Sequence, residues 1–196
     1  MKIIHYPLFL FLLVLTSSCI QLKGTAPPSH FFVLESMTHS PDILSENSYI
    51  VAIELTEFPE YLKRSQIITH RQNNIIHISD IQRWATPLED QVLHLIANNL
   101  TLLLPESTVV IKPWQINRQV NHSVQISVKK MSGILGQETD MDIRWQLADQ
   151  EGRKYRGHYI DQRPIDDSYE GLVKALNRGL EGLSRELATA LAKQGS

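Results

Sequence analysis

The chain has 196 residues and a formal net charge of −2. A chain of this length is expected to fold as one domain that buries roughly 70% of its unfolded surface. It has no tract of clustered Lys and Arg, the feature with which proteins neutralise a phosphate backbone. Composition therefore argues against a nucleic-acid-binding protein.

The first residues have the layout of a secretory signal peptide. Lys2 provides a positive start, an apolar run extends over residues 8–15, and small residues at 16–18 precede Cys19. The apolar run is much shorter than the roughly 20 residues that a membrane-spanning helix needs. We therefore predict a cleaved signal peptide over residues 1–18 and no transmembrane anchor there.

Cys19 is the only cysteine of the chain. The stretch "LTSSC" resembles the lipobox of bacterial lipoproteins, in which the cysteine is acylated and becomes the first mature residue. The resemblance implies lipidation at Cys19, and residues 19–29, with Gly24 and a Pro pair, are then interpreted as a tether. Because Ile20 and not an aspartate follows the cysteine, the resemblance also implies an outer-membrane location, with the domain facing the periplasm. An acylated Cys19 would leave no thiol for a disulfide.

Residues 30–196 are predicted to form the folded domain, and strand signals come first. The candidate strands before the first helix are "FFVLES", "YIVAIELTEF", "QIITH" and "NIIHIS", and the asparagines of "RQNN" suit a turn between the last two. After that helix they are "TVVIKP", "NHSVQISVKK", "DMDIRWQLAD" and "RKYRGHYID". Gly152 in "DQEG" favours a hairpin connection between the last pair.

Two amphipathic helices complete the predicted elements. Thr86 as the N-cap, Pro87 at the first helical position and Glu89 in a capping box predict the start of the first helix, and Pro105 ends it. A leucine stripe predicts the second helix over about 167–193. Together these elements predict a single-domain α+β fold, a mostly antiparallel sheet with two helices packed on it.

Small residues repeat at four-residue spacing on the second helix, at Gly171, Ala175 and Gly179. Glycine costs about 1 kcal/mol in a helix interior, so this stripe indicates close approach of another backbone. That backbone is either the domain's own sheet or a second subunit.

No catalytic motif is apparent. The chain lacks a G-x-S-x-G elbow, an H-E-x-x-H helix, a phosphate-binding glycine loop and paired cysteines. Its eight histidines are scattered along the chain and form no recognisable metal-binding motif. The sequence therefore predicts a non-enzymatic protein with no metal and no cofactor.

One long stretch, "FPEYLKRSQIITHRQNNIIHISDIQRWATPLEDQVLHLIANNL", resembles the PqiC (paraquat-inducible protein C) family, also called the ABC-type transport auxiliary lipoproteins. The family pattern has a tyrosine–leucine pair, an arginine, "Q-I-[VI]-T", an asparagine turn, and "R-W-A-x-P-L" at the start of a helix that ends in "N-L". The matching positions are Tyr61, Leu62, Arg64, Gln66, Ile67, Ile68, Thr69, Asn73, Arg83, Trp84, Ala85, Pro87, Leu88, Asn99 and Leu100. A "KPW" at Trp114 and a "W-x-L-x-D" at Trp145 also fit.

The resemblance implies a non-enzymatic outer-membrane component of an MCE-type (mammalian cell entry) transport system for lipids or other hydrophobic molecules. Its implied partner is a periplasmic MCE-domain protein, and a homo-oligomer is compatible with it. The candidate partner-binding residues are Tyr61, Arg64, Arg83 and Trp84; for Arg83 and Trp84 the alternative is packing beside the helix start.

Two other functions stay open at the level of sequence. The first is a stand-alone periplasmic module that binds lipid or peptidoglycan. The second is an envelope hydrolase, which the missing nucleophile motif disfavours.

Overall fold

A computed structural model describes residues 27–38, 48–71, 75–112 and 119–194. Within these ranges the elements, in chain order, are β1 (His30–Phe32), β2 (Ile50–Glu57), a 3₁₀ turn (Glu60–Leu62), β3 (Gln66–Arg71), β4 (Ile75–Trp84), α1 (Leu88–Leu103), β5 (Thr108–Ile111), β6 (His122–Gly133), β7 (Glu138–Ala148), β8 (Lys154–Pro164) and α2 (Tyr169–Gln194). Cys19, the predicted asparagine turn at Asn73 and the "KPW" at Trp114 lie outside the described residues.

The strands form two sheets. The larger has the order β5-β2-β6-β7-β8 and the smaller has the order β1-β4-β3. The pairs β3–β4, β6–β7 and β7–β8 are antiparallel, whereas β2 runs parallel to both β5 and β6, and β1 runs parallel to β4. The α+β class and the two helices are confirmed, but the prediction of a mostly antiparallel sheet is wrong because both sheets are mixed.

The parallel pairs follow from long connections. Between β2 and β5 the chain forms the β3–β4 hairpin and α1, so it returns to the same end of the sheet before β5 begins. Hairpin signals such as Gly152, whose φ is +79°, specify only pairs of strands adjacent in sequence. The sequence contains no comparable local signal for the partners of β2.

Both helices bury an apolar stripe, as their periodicity predicts, and most of the core lies between them and the larger sheet. The contacts of α1 are with α2, β2 and β5, and those of α2 are with β6, β7 and β8. The leucines of the predicted stripe on α2 are all buried: Leu172, Leu176, Leu180, Leu183, Leu187 and Leu191. Two helices therefore cover one face of the five-stranded sheet.

The start of α1 differs from the prediction. Pro87 occupies the N-cap position, and no side chain caps the helix, so the capping role predicted for Thr86 is wrong. The backbone is still extended at Pro87 (ψ 128°), which places Thr86 one residue too early to cap. The Thr86 carbonyl instead accepts a hydrogen bond from Gln91 Nε2 at 2.8 Å, and Gln91 Oε1 accepts one from the Leu34 N–H at 2.7 Å.

The small-residue stripe on α2 lies against the domain's own sheet. A Cβ added at Gly179 would lie 2.4 Å from Met141 Sδ, and the Gly179 carbonyl accepts a hydrogen bond from the Tyr159 hydroxyl at 2.9 Å. Gly171 serves a different purpose, because its N–H is capped by Ser168 Oγ at 2.9 Å and its missing Cβ leaves room for Asp166. Of the two alternatives for the stripe, these contacts support packing within the domain.

Asn99 is a fully buried polar residue of the family-like stretch. Its Oδ1 accepts a hydrogen bond from the Met37 N–H at 2.9 Å, and its Nδ2 donates to Ser184 Oγ at 3.2 Å. Asn99 therefore connects the segment after β1, helix α1 and helix α2 through one side chain.

Asn99→Ala is expected to lower the free energy of unfolding by about 2–4 kcal/mol. The change leaves a cavity at a fully buried position and removes the acceptor of the part-buried Met37 N–H and the donor to the buried Ser184; an unsatisfied buried group costs about 1–3 kcal/mol. Denaturant unfolding measures the effect, with the exposed neighbour Asn98→Ala as the control, for which a change within about 0.5 kcal/mol is expected. Equal destabilisation by the two variants would contradict the bridging role.

Candidate functional site

The family-like residues meet where the loop before β3, the end of β4 and the start of α1 come together. A pocket of about 250 Å³ lies there, lined by residues 63–65 and 84–89. We call it the β4–α1 pocket. Trp84, Ala85, Pro87 and Leu88 contribute apolar surface to its wall, and the charged side chains of its lining come from the loop and from Glu89.

Backbone hydrogen bonds hold these segments together. The Trp84 N–H donates to the Ser65 carbonyl at 2.6 Å, and the Ala85 N–H donates to the Phe32 carbonyl at 2.9 Å. The β3–β4 register shifts between Gln66 and Ile68, so the end of β4 bends away from a regular ladder. The Trp84–Ser65 bond places the loop at 63–65 beside the helix start, and the Ala85–Phe32 bond places the end of β1 there.

Trp84 and Arg83 both make contacts within the domain. Trp84 belongs to the core, with only 4% of its surface exposed. Arg83 is half-buried, and its Nη1 donates to Ser65 Oγ at 3.0 Å. Of the alternatives left open by the sequence, this burial supports a packing role for Trp84, as part of the pocket wall.

The charges at the pocket differ in how they are paired. Lys63 Nζ lies 2.9 Å from Glu60 Oε1 and 3.8 Å from Glu89 Oε2, and the hydrogen bond to Glu60 raises the pKa of Lys63. Arg64, which is exposed, makes no hydrogen bond or ion pair within the described part of the chain. The guanidinium of Arg64 is therefore available to a carboxylate or phosphate brought to the pocket.

Tyr61 lies apart from the pocket lining. Its half-buried ring packs edge-on against His70, with ring centroids 6.2 Å apart and an interplanar angle of 74°. Burial raises the pKa of Tyr61 and lowers the pKa of His70, because each charged form would lose solvation. The structure thus brings Arg64 and Trp84 into one pocket, places Arg83 beside it, and gives Tyr61 a contact of its own.

Sequence reasoning missed a second pocket on the other side of the α1 start. It has a volume of about 260 Å³ and is lined by Val33, Leu34, Ser36, Thr86, Asp90, Gln91, His94, Leu95 and Asn98. The stripe of polar residues on α1 was the available signal, but a polar helix face is usually solvated. The contact of the segment after β1 with this face is what forms the pocket.

Neither metal ligation nor membrane crossing has support in the described residues. In them, no group of three or more His, Cys, Asp and Glu side chains could hold a metal ion. No helix in the same ranges has the length and apolar character needed to span a bilayer.

The fold is shared with solved structures of low sequence identity. One is the crystal structure of an uncharacterized protein, with a TM-score of 0.67, 19% identity, and coverage of 84% of this chain and 99% of that one. Another is protein XCC0632 from Xanthomonas campestris, of family DUF330, with a TM-score of 0.69, 12% identity, and coverage of 85% and 96%. No curated protein sequence matches the chain.

A family model identifies the class of protein more narrowly. The model for the ABC-type transport auxiliary lipoprotein component matches residues 32–188. The chain belongs to this family, so the resemblance noted in the sequence is confirmed. The family description as a transport auxiliary component implies a protein that works with a transporter.

Proposed function

We propose that the protein is an outer-membrane lipoprotein that acts as the docking component of an MCE-type transport system for lipids or other hydrophobic molecules. The observation that carries the proposal is the family match over residues 32–188. In the proposed organisation, residues 1–18 are the signal peptide, residues 19–29 are a lipidated tether, and residues 30–196 are the auxiliary domain. The proposed location is the periplasmic face of the outer membrane.

Neither of the two pockets beside α1 is large enough to enclose a whole lipid, which favours docking over lipid carriage at this site. The two pockets beside α1 have volumes of about 250 and 260 Å³. Sites that enclose drug-sized ligands have about 300–1,000 Å³, and a two-chain phospholipid is larger than most such ligands. A partner that supplies the lipid-carrying part fits these volumes better than the alternative of a stand-alone lipid-binding module.

The β4–α1 pocket has the composition of a small docking site. An apolar wall that includes Trp84 and Leu88 can take one apolar side chain of a partner, and Arg64 at the rim can pair with an adjacent carboxylate. Arginine is among the residues that most often dominate binding energy at interfaces. The proposed partner is the periplasmic MCE-domain protein, with Tyr61, Arg83 and Trp84 supporting the surface from within the domain.

Arg64→Glu is expected to reduce recovery of the partner by at least about tenfold, a loss of at least 1.4 kcal/mol, while the melting temperature stays unchanged. The substitution reverses a charge that has no partner among the described residues of the domain. The measurement is affinity recovery of the lipidated protein from detergent-solubilised envelopes, with quantitative mass spectrometry of the captured transport components. Arg178→Glu, the same change at another exposed arginine on α2, is the control and should recover the partner normally.

Two outcomes would contradict docking at the β4–α1 pocket or docking altogether. Equal recovery with Arg64→Glu and Arg178→Glu would move the interface away from the pocket. Failure of the wild-type protein to retain any envelope transport component would contradict the docking role and would favour a stand-alone module that binds lipid or peptidoglycan. Measuring the molecular mass of the purified protein in solution tests whether it forms a homo-oligomer.

A further inference from the structure

The start of β4 exposes a cluster of large apolar side chains. Ile75 is 56% exposed, Ile76 is 43% exposed and Ile78 is 38% exposed. The described residues contain seven exposed large apolar side chains, and these three occur within four consecutive positions. Scattered exposed apolar residues are ordinary, whereas a concentration of them marks an interaction site.

The three isoleucines lie on both faces of the β3–β4 hairpin. Ile75 pairs with Arg71 and Ile76 pairs with His70, and adjacent positions of a strand point to opposite faces. Ile78 pairs with Ile68, which is buried, so the apolar surface continues into the core. Exposed isoleucines on both faces of one hairpin end suit insertion into an apolar medium better than docking of one face on a protein.

Strand direction places this end of the hairpin on the side from which the N-terminal segment comes. In the parallel β1–β4 pair, His30 lies opposite Gln82 and Phe32 lies opposite Trp84. The chain therefore approaches His30 from the direction of Ile75. If Cys19 is acylated, its tether joins the domain at the end of β1 that faces Ile75.

The distances allow the lipid anchor and the isoleucines to contact the same bilayer. At ~3.3–3.6 Å per residue, the chain from Cys19 to His30 spans at most about 40 Å. Along β4, Ile75 lies about 23 Å from Gln82, the partner of His30, at ~3.3 Å per residue. The acyl chains can therefore enter a membrane while the isoleucines touch its surface.

The charge carried by the hairpin itself also suits a membrane surface, and the nearby Lys130 and Asp140, whose charges act on His70, form an ion pair with each other. From residue 66 to residue 79 the sequence has no Asp or Glu, and the exposed Arg71 lies directly opposite Ile75. Basic side chains next to apolar ones are attracted to anionic lipid head groups.

We propose that Ile75, Ile76 and Ile78 insert into the head-group region of the bilayer and form a second membrane contact beside the lipid anchor. The proposal rests on the proposed anchoring at Cys19 and extends it. Trp84 and the β4–α1 pocket lie at the opposite end of β4, about 30 Å from Ile75 at ~3.3 Å per residue. Insertion of the isoleucines would thus orient the domain with its docking pocket directed into the periplasm.

The test places a fluorescent label on the hairpin of the lipidated full chain. Ile76→Cys is labelled with the environment-sensitive fluorophore NBD, because an acylated Cys19 has no free thiol. Ile160→Cys is the control, since Ile160 is 61% exposed on the edge strand β8 of the other sheet. In vesicles of phosphatidylethanolamine and phosphatidylglycerol, we expect lipids with a shallow nitroxide to quench the label at 76 and iodide to quench it several-fold less than the label at 160.

Two results would overturn the proposal. Equal access of iodide to both labels would show that the hairpin remains in water. Protection from iodide without quenching by any nitroxide lipid would show that a protein covers the hairpin.

A second measurement keeps this contact separate from the anchoring at Cys19. In the unacylated Cys19→Ala chain, replacing Ile75, Ile76 and Ile78 together by serine should lower partition onto the same vesicles by at least about tenfold. Retained partition would contradict membrane insertion even if lipidation at Cys19 is established. Loss of partition would support it even if the anchoring proposal fails.

Discussion

Trp84→Ala is expected to lower the free energy of unfolding by about 3–5 kcal/mol, the usual cost of removing a buried large aromatic side chain. Only 4% of Trp84 is exposed, and its backbone N–H is bonded to Ser65 at the join between β4 and the loop before β3. Loss of the ring leaves a cavity beneath the β4–α1 pocket, so partner binding should fall as a consequence of unfolding. Denaturant unfolding, alongside partner recovery per folded molecule, measures both effects.

Phe31→Ala is the matched control for this truncation. Phe31 lies on the strand paired with β4 but is 65% exposed, so removal of its ring should change stability by no more than about 0.5 kcal/mol. Arg64→Ala should likewise leave stability unchanged and weaken only partner recovery. If Trp84→Ala unfolds at the wild-type denaturant concentration and still loses the partner, Trp84 is an interface anchor and not a core residue.

Local signals explain the parts of the fold that the sequence predicts well. Helices α1 and α2 follow from apolar residues at helical spacing, and the β7–β8 hairpin follows from strand alternation on both sides of Gly152. Each of these depends on residues less than about 30 positions apart. The partners of β2 depend on Thr108–Ile111 and on β6, which lie beyond a hairpin and a helix, and periodicity does not report such pairings.

The candidate site was also predictable only in part, because a local motif does not show which of its residues are buried. The family resemblance pointed to Arg64 and Trp84, and the structure brings both to one pocket. Burial divides them: Trp84 lies in the core, and Arg64 remains exposed without a partner in the described residues. A motif in a linear sequence contains no information on that difference.

The exposed isoleucines show a further limit of prediction from apolar composition. "NIIHIS" has the composition of a buried strand, and β4 is indeed a strand. Ile75 and Ile76 are nevertheless exposed, because both described helices pack mainly on the five-stranded sheet and not on this end of the three-stranded one. Apolar composition therefore predicted the element correctly but could not distinguish a core strand from a strand that presents an interaction surface.

Cys19→Ala is expected to change the location of the protein completely. Each buried methylene contributes ~0.8 kcal/mol, so two acyl chains give a membrane attachment on the order of 20 kcal/mol, whereas one chain alone binds reversibly. Without acylation only the weak contact of the β3–β4 hairpin would remain, and the exported protein should be recovered with the periplasmic fraction. Ser18→Ala keeps a small residue before the cysteine and should remain membrane-bound. Density separation of inner and outer membranes, with mass spectrometry of the mature N-terminus, measures both location and modification. An unmodified thiol at Cys19 in the wild-type protein would contradict the anchor, and an acylated protein found in the inner membrane would retain the anchor but contradict the location inferred from Ile20.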